Sequence, residues 1–450
     1  MREFIARNFT FPLQDLLRGT NIRKEYESLL HSEKQPTEYL EKLQFSKLKN
    51  LVKFSNENIP YYNELFKHNN FNPTDLKSLS DISKIPITTK EMARDAGDKL
   101  FTSKKNKSRI KYGKTGGTTG MPLFYQKNTK TRSVGWGAYY RWYHWLGLKR
   151  EDPKVSLWGM PTVIDNTRFK EYYQSLKYEF SNTLFINSFK INKKTLPRIA
   201  KKIARRKPKI LHGYLSALIQ LAHYLEDNQI DDINPIAIMP TTETVLPPYR
   251  ELLERVFRSE VFDQYGCGEC GSIAFECPEH TGLHIASEHC VVETINNDEN
   301  GVGEVVITDL DNYAMPFLRY SNGDKAVLSD EKCPCSRPFP LIKKVLGRTA
   351  DTIILVDGSK VHGVFFTDII GELNFIENKK IRKFQAYQSN PGELEFRIQG
   401  FRLDNQNEKS LSKVLNRYFS KVKITYFEKI PNDESGKFRY AISEIKDVPE

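Results

Sequence analysis

The chain has 450 residues, and 68 Lys plus Arg against 56 Asp plus Glu give a formal net charge of +12. An apolar content of 39% with 12% aromatics excludes a disordered chain, and a length about three times a typical domain of roughly 150 residues calls for more than one core. No apolar run approaches the ~20 residues of a membrane span, and the start Met1-Arg-Glu-Phe-Ile-Ala-Arg-Asn lacks the apolar stretch of a signal peptide. A cytoplasmic protein is expected, and the basic excess suggests a polyanionic partner, either nucleic acid or a phosphorylated ligand.

In chain order, residues 1–70 are helical in character, with Leu40, Leu43, Leu48, Leu51 and Phe54 at helical spacing. Pro60, in Asn58-Ile-Pro-Tyr-Tyr, is expected to end that helix. Phe71-Asn-Pro-Thr-Asp and Ile85-Pro-Ile-Thr read as linkers to a further helix, closing a helical start of about 95 residues. Lys104 to Lys114 is basic without an acidic residue, and a Gly/Thr-rich stretch follows. Trp136, Trp142 and Trp145 fall in a predicted helix, with short alternating segments over 153–187.

Beyond 190, strands and helices alternate, as in an α/β sheet. Ala200 to Arg206 and Ser216 to Leu225 read as helices. Pro208-Lys-Ile-Leu-His-Gly, Ile236-Ala-Ile-Met-Pro, Val261-Phe-Asp-Gln-Tyr-Gly and Gly303-Glu-Val-Val-Ile-Thr-Asp read as buried or strand-like runs. After Gly347-Arg-Thr-Ala-Asp the texture becomes mixed α+β. Ile353-Ile-Leu-Val-Asp-Gly reads as a hairpin strand, Gly392 to Ile398 and Val422 to Phe427 as strands, and Leu411 to Phe419 as a helix. A division into 1–347 and 348–450 follows, with the second part a small domain.

Four motifs carry chemistry. Thr115-Gly-Gly-Thr-Thr-Gly-Met-Pro can wrap closely and point N–H groups and hydroxyls at phosphate oxygens, or serve as a surface turn. Without a Gly-Lys-Ser/Thr ending it is not the P-loop of GTPases. Tyr265-Gly-Cys-Gly-Glu-Cys places a carboxylate past a strand end, where it suits Mg²⁺ or solvent. In Phe317-Leu-Arg-Tyr-Ser-Asn-Gly-Asp, an Asp after a turn can accept ribose hydroxyls, and the Arg of Gly347-Arg-Thr-Ala-Asp can meet a phosphate. Pro431-Asn-Asp-Glu-Ser-Gly-Lys-Phe-Arg-Tyr holds Lys437 in a Gly-containing turn. The six cysteines, Cys267, Cys270, Cys277, Cys290, Cys333 and Cys335, cluster in one stretch. That distribution reads as a metal site or site chemistry rather than a disulfide scaffold.

Taken in order, these motifs resemble the adenylate-forming acyl-CoA synthetase and luciferase superfamily over nearly the whole chain. The chain is most similar to the phenylacetate-CoA ligase-like branch, which includes CapK-like proteins associated with capsule synthesis. Asn58-Ile-Pro-Tyr-Tyr, the spacing of Arg319 to Asp324 and the short chain carry that likeness. Gly116 where Ser is common, Leu123 where many relatives carry Lys, Gly268 for a usual Thr and Ala350 for an acidic hinge residue depart from the pattern.

The resemblance implies an α/β fold: a large N-terminal domain with several sheets and packed helices, and a small mobile α+β C-terminal domain that acts as a lid. It implies that Thr115, Gly116, Gly117, Thr118, Thr119 and Gly120 hold the ATP phosphates, and that Glu269 holds Mg²⁺. Thr242, Glu243, Gln264, Tyr265 and Gly266 would line the AMP site, with Asp324 on the ribose and Arg348 bridging ribose or phosphate. Lys437 would stabilise the forming adenylate, and the lid would turn about Ala350 or Asp351. A structural Zn²⁺ on Cys277, His284, Cys333 and Cys335 is implied, with His280 an alternative to His284; a closed Cys₃His set leaves no position for substrate.

The implied activity is ATP-dependent, AMP-forming ligation of an aryl or small organic acid to CoA. Transfer to an amine or a sugar hydroxyl is the alternative, and a zinc-containing nucleic-acid-binding protein a further one. The expected partners are ATP, an acid and the acceptor, with no nucleic acid; a homodimer is compatible with this reading. Trp136, Trp142, Trp145 and the Tyr139-Tyr140 pair read as core or as the wall of an aromatic-acid pocket.

Overall fold

The computed structural model describes residues 1–102, 109–115, 122–159, 178–348, 352–358, 360–373, 375, 380–432 and 438–445. The chain forms two compact units. The first comprises 1–153, 178–183 and 262–345; the second comprises 154–159, 184–261 and 346–445. The α/β class expected from the sequence is the class observed.

The first unit opens with helices. Thr37–Asn58 buries Leu40, Leu48, Leu51, Val52 and Ser55 along one stripe. Pro60 does not simply end it. The chain turns at Ile59, and Pro60 takes the first position of the helix Pro60–His68, where a missing N–H costs nothing. The helix Thr129–Trp145 starts on Asn128, whose Oδ1 accepts the Thr131 N–H at 2.8 Å. Its Trp142 and Tyr139 pack edge or tilted on Phe275. Trp142 and Trp145 are thus core, while Trp136 is exposed.

An eight-stranded sheet organises this unit. Its path runs Cys290–Ile295, Gly303–Asp309, Tyr320–Ser329, Leu341–Arg348, Leu283–Ile285, Gly271–Glu276, Gln264–Cys267, with Thr88–Thr89 added parallel to Tyr320–Ser329. A separate hairpin pairs Lys111–Lys114 with Phe124–Lys127.

The second unit holds a five-stranded sheet in the order Thr183–Asn187, Lys154–Trp158, Ile210–Tyr214, Ala237–Thr241, Glu260–Val261. The last four of these strands pair in parallel. The helices Leu196–Arg206, Leu215–Asp227 and Pro247–Phe257 connect them, as parallel pairing requires. A four-stranded sheet, Lys421–Phe427, Glu393–Gly400, Ile381–Gln388, Ala441–Ser443, and the hairpin Thr352–Ile354 with Lys360–His362 complete the unit. One apolar cluster runs from Leu218 and Leu253 to Phe384 and Phe396.

Two expectations shift. The single strand expected from Val261 to Gly266 is two: Glu260–Val261 ends one sheet and Gln264–Cys267 starts at the edge of another. The C-terminal helix spans Asn405–Leu415, capped by Asp404 Oδ1 on the Asn407 N–H at 2.9 Å. Phe419 lies beyond it, buried in the following turn. The compact unit that holds 184–261 also holds 346–445; the division at 347, with 348–450 as a lid, is a functional expectation.

Candidate functional site

In the first unit the strand Tyr320–Ser329 sets the geometry. Its ladder is irregular between Ser321 and Lys325, where Gly323 has φ 81° and the Asp324 N–H donates to Asn322 Oδ1 at 3.0 Å, so that Asn322 and Asp324 turn toward each other. Tyr320 donates its hydroxyl to Glu269 Oε1 at 2.9 Å. Asn322 Nδ2 donates to the Tyr265 hydroxyl at 2.7 Å and to Asp324 Oδ2 at 2.8 Å. Tyr265 donates to that same Asp324 oxygen at 2.7 Å. Burial, then the Asp324 charge, pushes the Tyr265 phenol well above its usual range, so it stays a donor. Gln264 Nε2 donates to Tyr139 at 3.2 Å. Gln264 is thereby tied into the aromatic core.

Glu269 is 5% exposed, and Oε2 takes no donor among the described residues. A buried carboxylate with one oxygen fixed suits a hard cation, which would take the other. Burial and then Glu269 hold the Tyr125 phenol up at about 12. The Tyr125 ring fills the space between two motifs: a Cβ on Gly113 would lie 2.3 Å from it and one on Gly268 3.0 Å from its hydroxyl. Gly266 is required by a different contact, because its Cβ would meet the Gly271 carbonyl oxygen at 2.5 Å.

Thr115 closes the hairpin that precedes the Gly/Thr loop. Its N–H donates to the Leu123 carbonyl at 2.9 Å, and its Oγ1 accepts the Leu123 N–H at 3.0 Å. The hydroxyl proton is left to donate. Gly116, Gly117, Thr118, Thr119 and Gly120 lie outside the described residues, as do Lys437 and the hinge pair Ala350 and Asp351. Arg348 is the last residue of the strand Leu341–Arg348.

The second unit contributes Thr242 and Glu243, just past the C-terminal end of the interior strand Ala237–Thr241. Ligand sites in parallel sheets lie at such ends. Thr242 has φ 72°, costly for a β-branched residue, and its buried Oγ1 has no partner among the described residues. Glu243 receives the Ser216 N–H at 3.0 Å and the Ser216 hydroxyl at 2.8 Å, at the head of the helix Leu215–Asp227.

Burial raises the Glu243 carboxyl to about 7 against the pull of Lys383, Ser216 and the Phe438 N–H, which favour its charged form. Phe438 directly follows Lys437 in the sequence. Burial in turn lowers Lys383 to about 8 while Glu243 raises it. Lys383 donates to Asn432 at 3.2 Å and lies 3.5 Å from the Phe438 ring centroid. A Cβ on Gly347, at φ 98°, would lie 3.5 Å from Thr244 Oγ1.

Cys277, His284, Cys333 and Cys335 converge, with their ligand atoms all within 4.8 Å of one another. Cys277 and Cys333 sulfurs are 3.6 Å apart, and His284 Nε2 is 3.2 Å from Cys335 Sγ. Burial, then Arg337, lowers the His284 pKa to about 4, so the ring is neutral, as a ligand must be. This donor set fits a tetrahedral Zn²⁺. His280 turns elsewhere: its Nδ1 pairs with Glu276 at 3.2 Å and its ring stacks on Phe262. Cys267 accepts the Cys270 N–H at 3.3 Å.

The residues missed in the sequence are Tyr320, Asn322, Ser216 and Lys383. The first two lie within Phe317 to Asp324, and their nearness in sequence to Asp324 was the available signal. Ser216 and Lys383 act through contacts between distant segments and leave no local signal. Arg319, from the same segment, is not free for a phosphate: it binds Glu293 at 3.1 Å and the Ser83 and Ile85 carbonyls at 2.7 and 2.9 Å.

A sequence profile for the CapK C-terminal domain matches residues 353–444. Protein CapK of Staphylococcus aureus is 28% identical over 415 residues, 90% of this chain and 89% of that protein. A phenylacetate-coenzyme A ligase of Thermus thermophilus is 26% identical over 348 residues, 71% of this chain and 73% of that one. A solved structure of 2-hydroxyisobutyryl-CoA ligase in the postadenylation state superposes with a TM-score of 0.73 at 16% identity, covering 91% of this chain and 90% of the other. No helix among the described residues is long and apolar enough to cross a membrane.

Proposed function

We propose a reaction for a chain that is adenylate-forming in fold and phenylacetate-CoA ligase/CapK-like: it activates a carboxylic acid with ATP and passes the acyl group to CoA. A carboxylate oxygen attacks the α-phosphorus, the bond to pyrophosphate breaks, and acyl-AMP forms. The CoA sulfur then attacks the acyl carbon, and AMP leaves. Most of the catalytic work in such a reaction is positioning and charge neutralisation.

The observation that supports this reading is that two of the motif carboxylates are held by named donors. Glu269 is held by Tyr320 at 2.9 Å, and Glu243 is held by Ser216 with the Phe438 N–H facing it. In this reading Glu269 would hold Mg²⁺, which when bound neutralises the phosphate charge. Thr115 and the loop after it receive the ATP phosphates. Asp324, oriented by Tyr265 and Asn322, accepts a ribose hydroxyl. Thr242, Glu243, Gln264, Tyr265 and Gly266 line the AMP site, with Arg348 at ribose or phosphate. Lys437 donates to the developing adenylate and is brought there by a lid, 348–450, that turns about Ala350 or Asp351. The four-residue Cys/His cluster would hold a structural zinc.

The acid is an aryl or small organic acid. A second reading keeps the adenylation and replaces CoA by an amine or a sugar hydroxyl. ATP–pyrophosphate exchange over a panel of carboxylic acids, followed by product analysis with CoA present and absent, tests both. No exchange with any acid would overturn the adenylation reading; exchange without thioester formation would select the second acceptor class. Lys437→Ala should abolish exchange, and unchanged exchange would remove its assigned role.

A further inference from the structure

Next to Glu269 lies a buried charge cluster that the proposed reaction does not use. His289 is fully buried in a turn built by the His289 and Cys290 N–H groups on the Ala286 carbonyl at 2.8 and 3.0 Å. Its Nε2 lies 3.1 Å from the carbonyl oxygen of Cys270, the residue after Glu269. Its Nδ1 lies 3.0 Å from Asp311 Oδ2 and 3.8 Å from Asp309 Oδ1.

A carbonyl oxygen can only accept a hydrogen bond. Asp311 already receives the Lys47 ammonium at 2.8 Å, and Asp309 receives the Thr131 hydroxyl at 3.0 Å and the Asp311 N–H at 2.9 Å. Both carboxylates are therefore placed as acceptors, and the ring must donate from both nitrogens. The imidazolium and the Lys47 ammonium then both face Asp311, while Lys127 also acts on Asp309, so the two buried anions are met by cations. Burial opposes the imidazolium, but Asp309 and Asp311 outweigh it and raise its pKa. The three side chains His289, Asp309 and Asp311 are also close enough to ligate a cation. Ring nitrogens that both face acceptors, with Lys47 already on Asp311, do not suit one.

We infer that His289 is a positioning residue: as an imidazolium it grips the Cys270 carbonyl and so fixes the turn that presents Glu269, while Tyr320 grips the carboxylate itself. This rests on the reading of Glu269 as a Mg²⁺ ligand. Partners one step behind a ligand commonly change metal affinity by about tenfold or more when removed.

Two measurements on the full chain test it. Nitrogen NMR of ¹⁵N-histidine-labelled protein should show one ring protonated at both nitrogens at neutral pH, and that signal should vanish in His289→Gln. A ring with a single N–H at that position would overturn the inference, whether or not any variant folds. The Mg²⁺ dependence of ATP–pyrophosphate exchange is the second. His289→Gln and Asp311→Asn should each raise the half-saturating Mg²⁺ by about tenfold and leave the KM for the acid unchanged. If Glu269→Gln shifts the Mg²⁺ requirement and these two do not, the role of His289 falls alone. If Glu269→Gln shifts nothing, the reading of Glu269 falls, and the positioning role with it.

Discussion

Tyr320 and Glu269 form a buried pair, hydroxyl to carboxylate at 2.9 Å, and the two motif segments that carry them are 51 residues apart in sequence. A neutral donor on a buried carboxylate holds it in place without adding charge, which leaves the negative charge available to a cation. Hydrogen bonds to charged groups contribute about 1.5–3 kcal/mol. Tyr320→Phe should therefore slow ATP–pyrophosphate exchange by roughly tenfold or more, with the KM for the acid unchanged. A wild-type rate at all Mg²⁺ concentrations would reduce the pair to packing.

Asp324 Oδ2 is shared by Tyr265 and Asn322. Asp324→Ala removes the acceptor and leaves two donors at the site without it, at a cost of about 1–3 kcal/mol each where they stay buried. Nucleotide binding, measured by calorimetry with a non-hydrolysable ATP analogue, should weaken by about ten- to a hundredfold. Tyr265→Phe keeps Asn322 on Asp324 and should weaken it less. Equal losses in the two variants would mean that the tyrosine, not the aspartate, faces the nucleotide.

Much of this was legible in the sequence, and the limits have physical causes. The α/β class followed from the alternation of short apolar runs with amphipathic helices, and the long helix over 37–58 from Leu40, Leu48 and Leu51. The strand expected across Val261 to Gly266 failed because Phe262 is apolar and buried yet lies at the crossing between two sheets; hydropathy records burial, not sheet membership. The C-terminal helix was set late because Leu411, Leu415 and Phe419 keep helical spacing past the true end. At the site, the motif residues were readable but their partners were not: Ser216 meets Glu243 across 27 residues and Lys383 meets Asn432 across 49. Such pairs are made by topology, which no local pattern encodes.

The Cys/His cluster makes a separate prediction about stability. Chain purified without chelator should carry one zinc ion by elemental analysis. Stripping the metal, or Cys335→Ser, should lower the melting temperature by roughly 3 °C, as loss of a few kcal/mol does in a chain of this size. Metal-free protein with an unchanged melting temperature would overturn the zinc assignment.

The Glu243 and Lys383 pair predicts a stability profile with two slopes of opposite sign. Glu243 is raised from 4.5 to about 7 by burial. Between those values the folded state holds more protons than the unfolded state, so stability falls as pH rises through that window. Lys383 is lowered from 10.5 to about 8 by burial. There the unfolded state holds more protons, so stability rises with pH from about 8 to 10.5. In urea unfolding, the stability of the wild type relative to Glu243→Gln should drop by about 3 kcal/mol across the acidic window. Relative to Lys383→Met it should climb across the alkaline one. Flat differences in both windows would mean that neither group is held away from its ordinary protonation in the folded chain, and the contact between the Phe438 segment and Glu243 would lose its electrostatic basis.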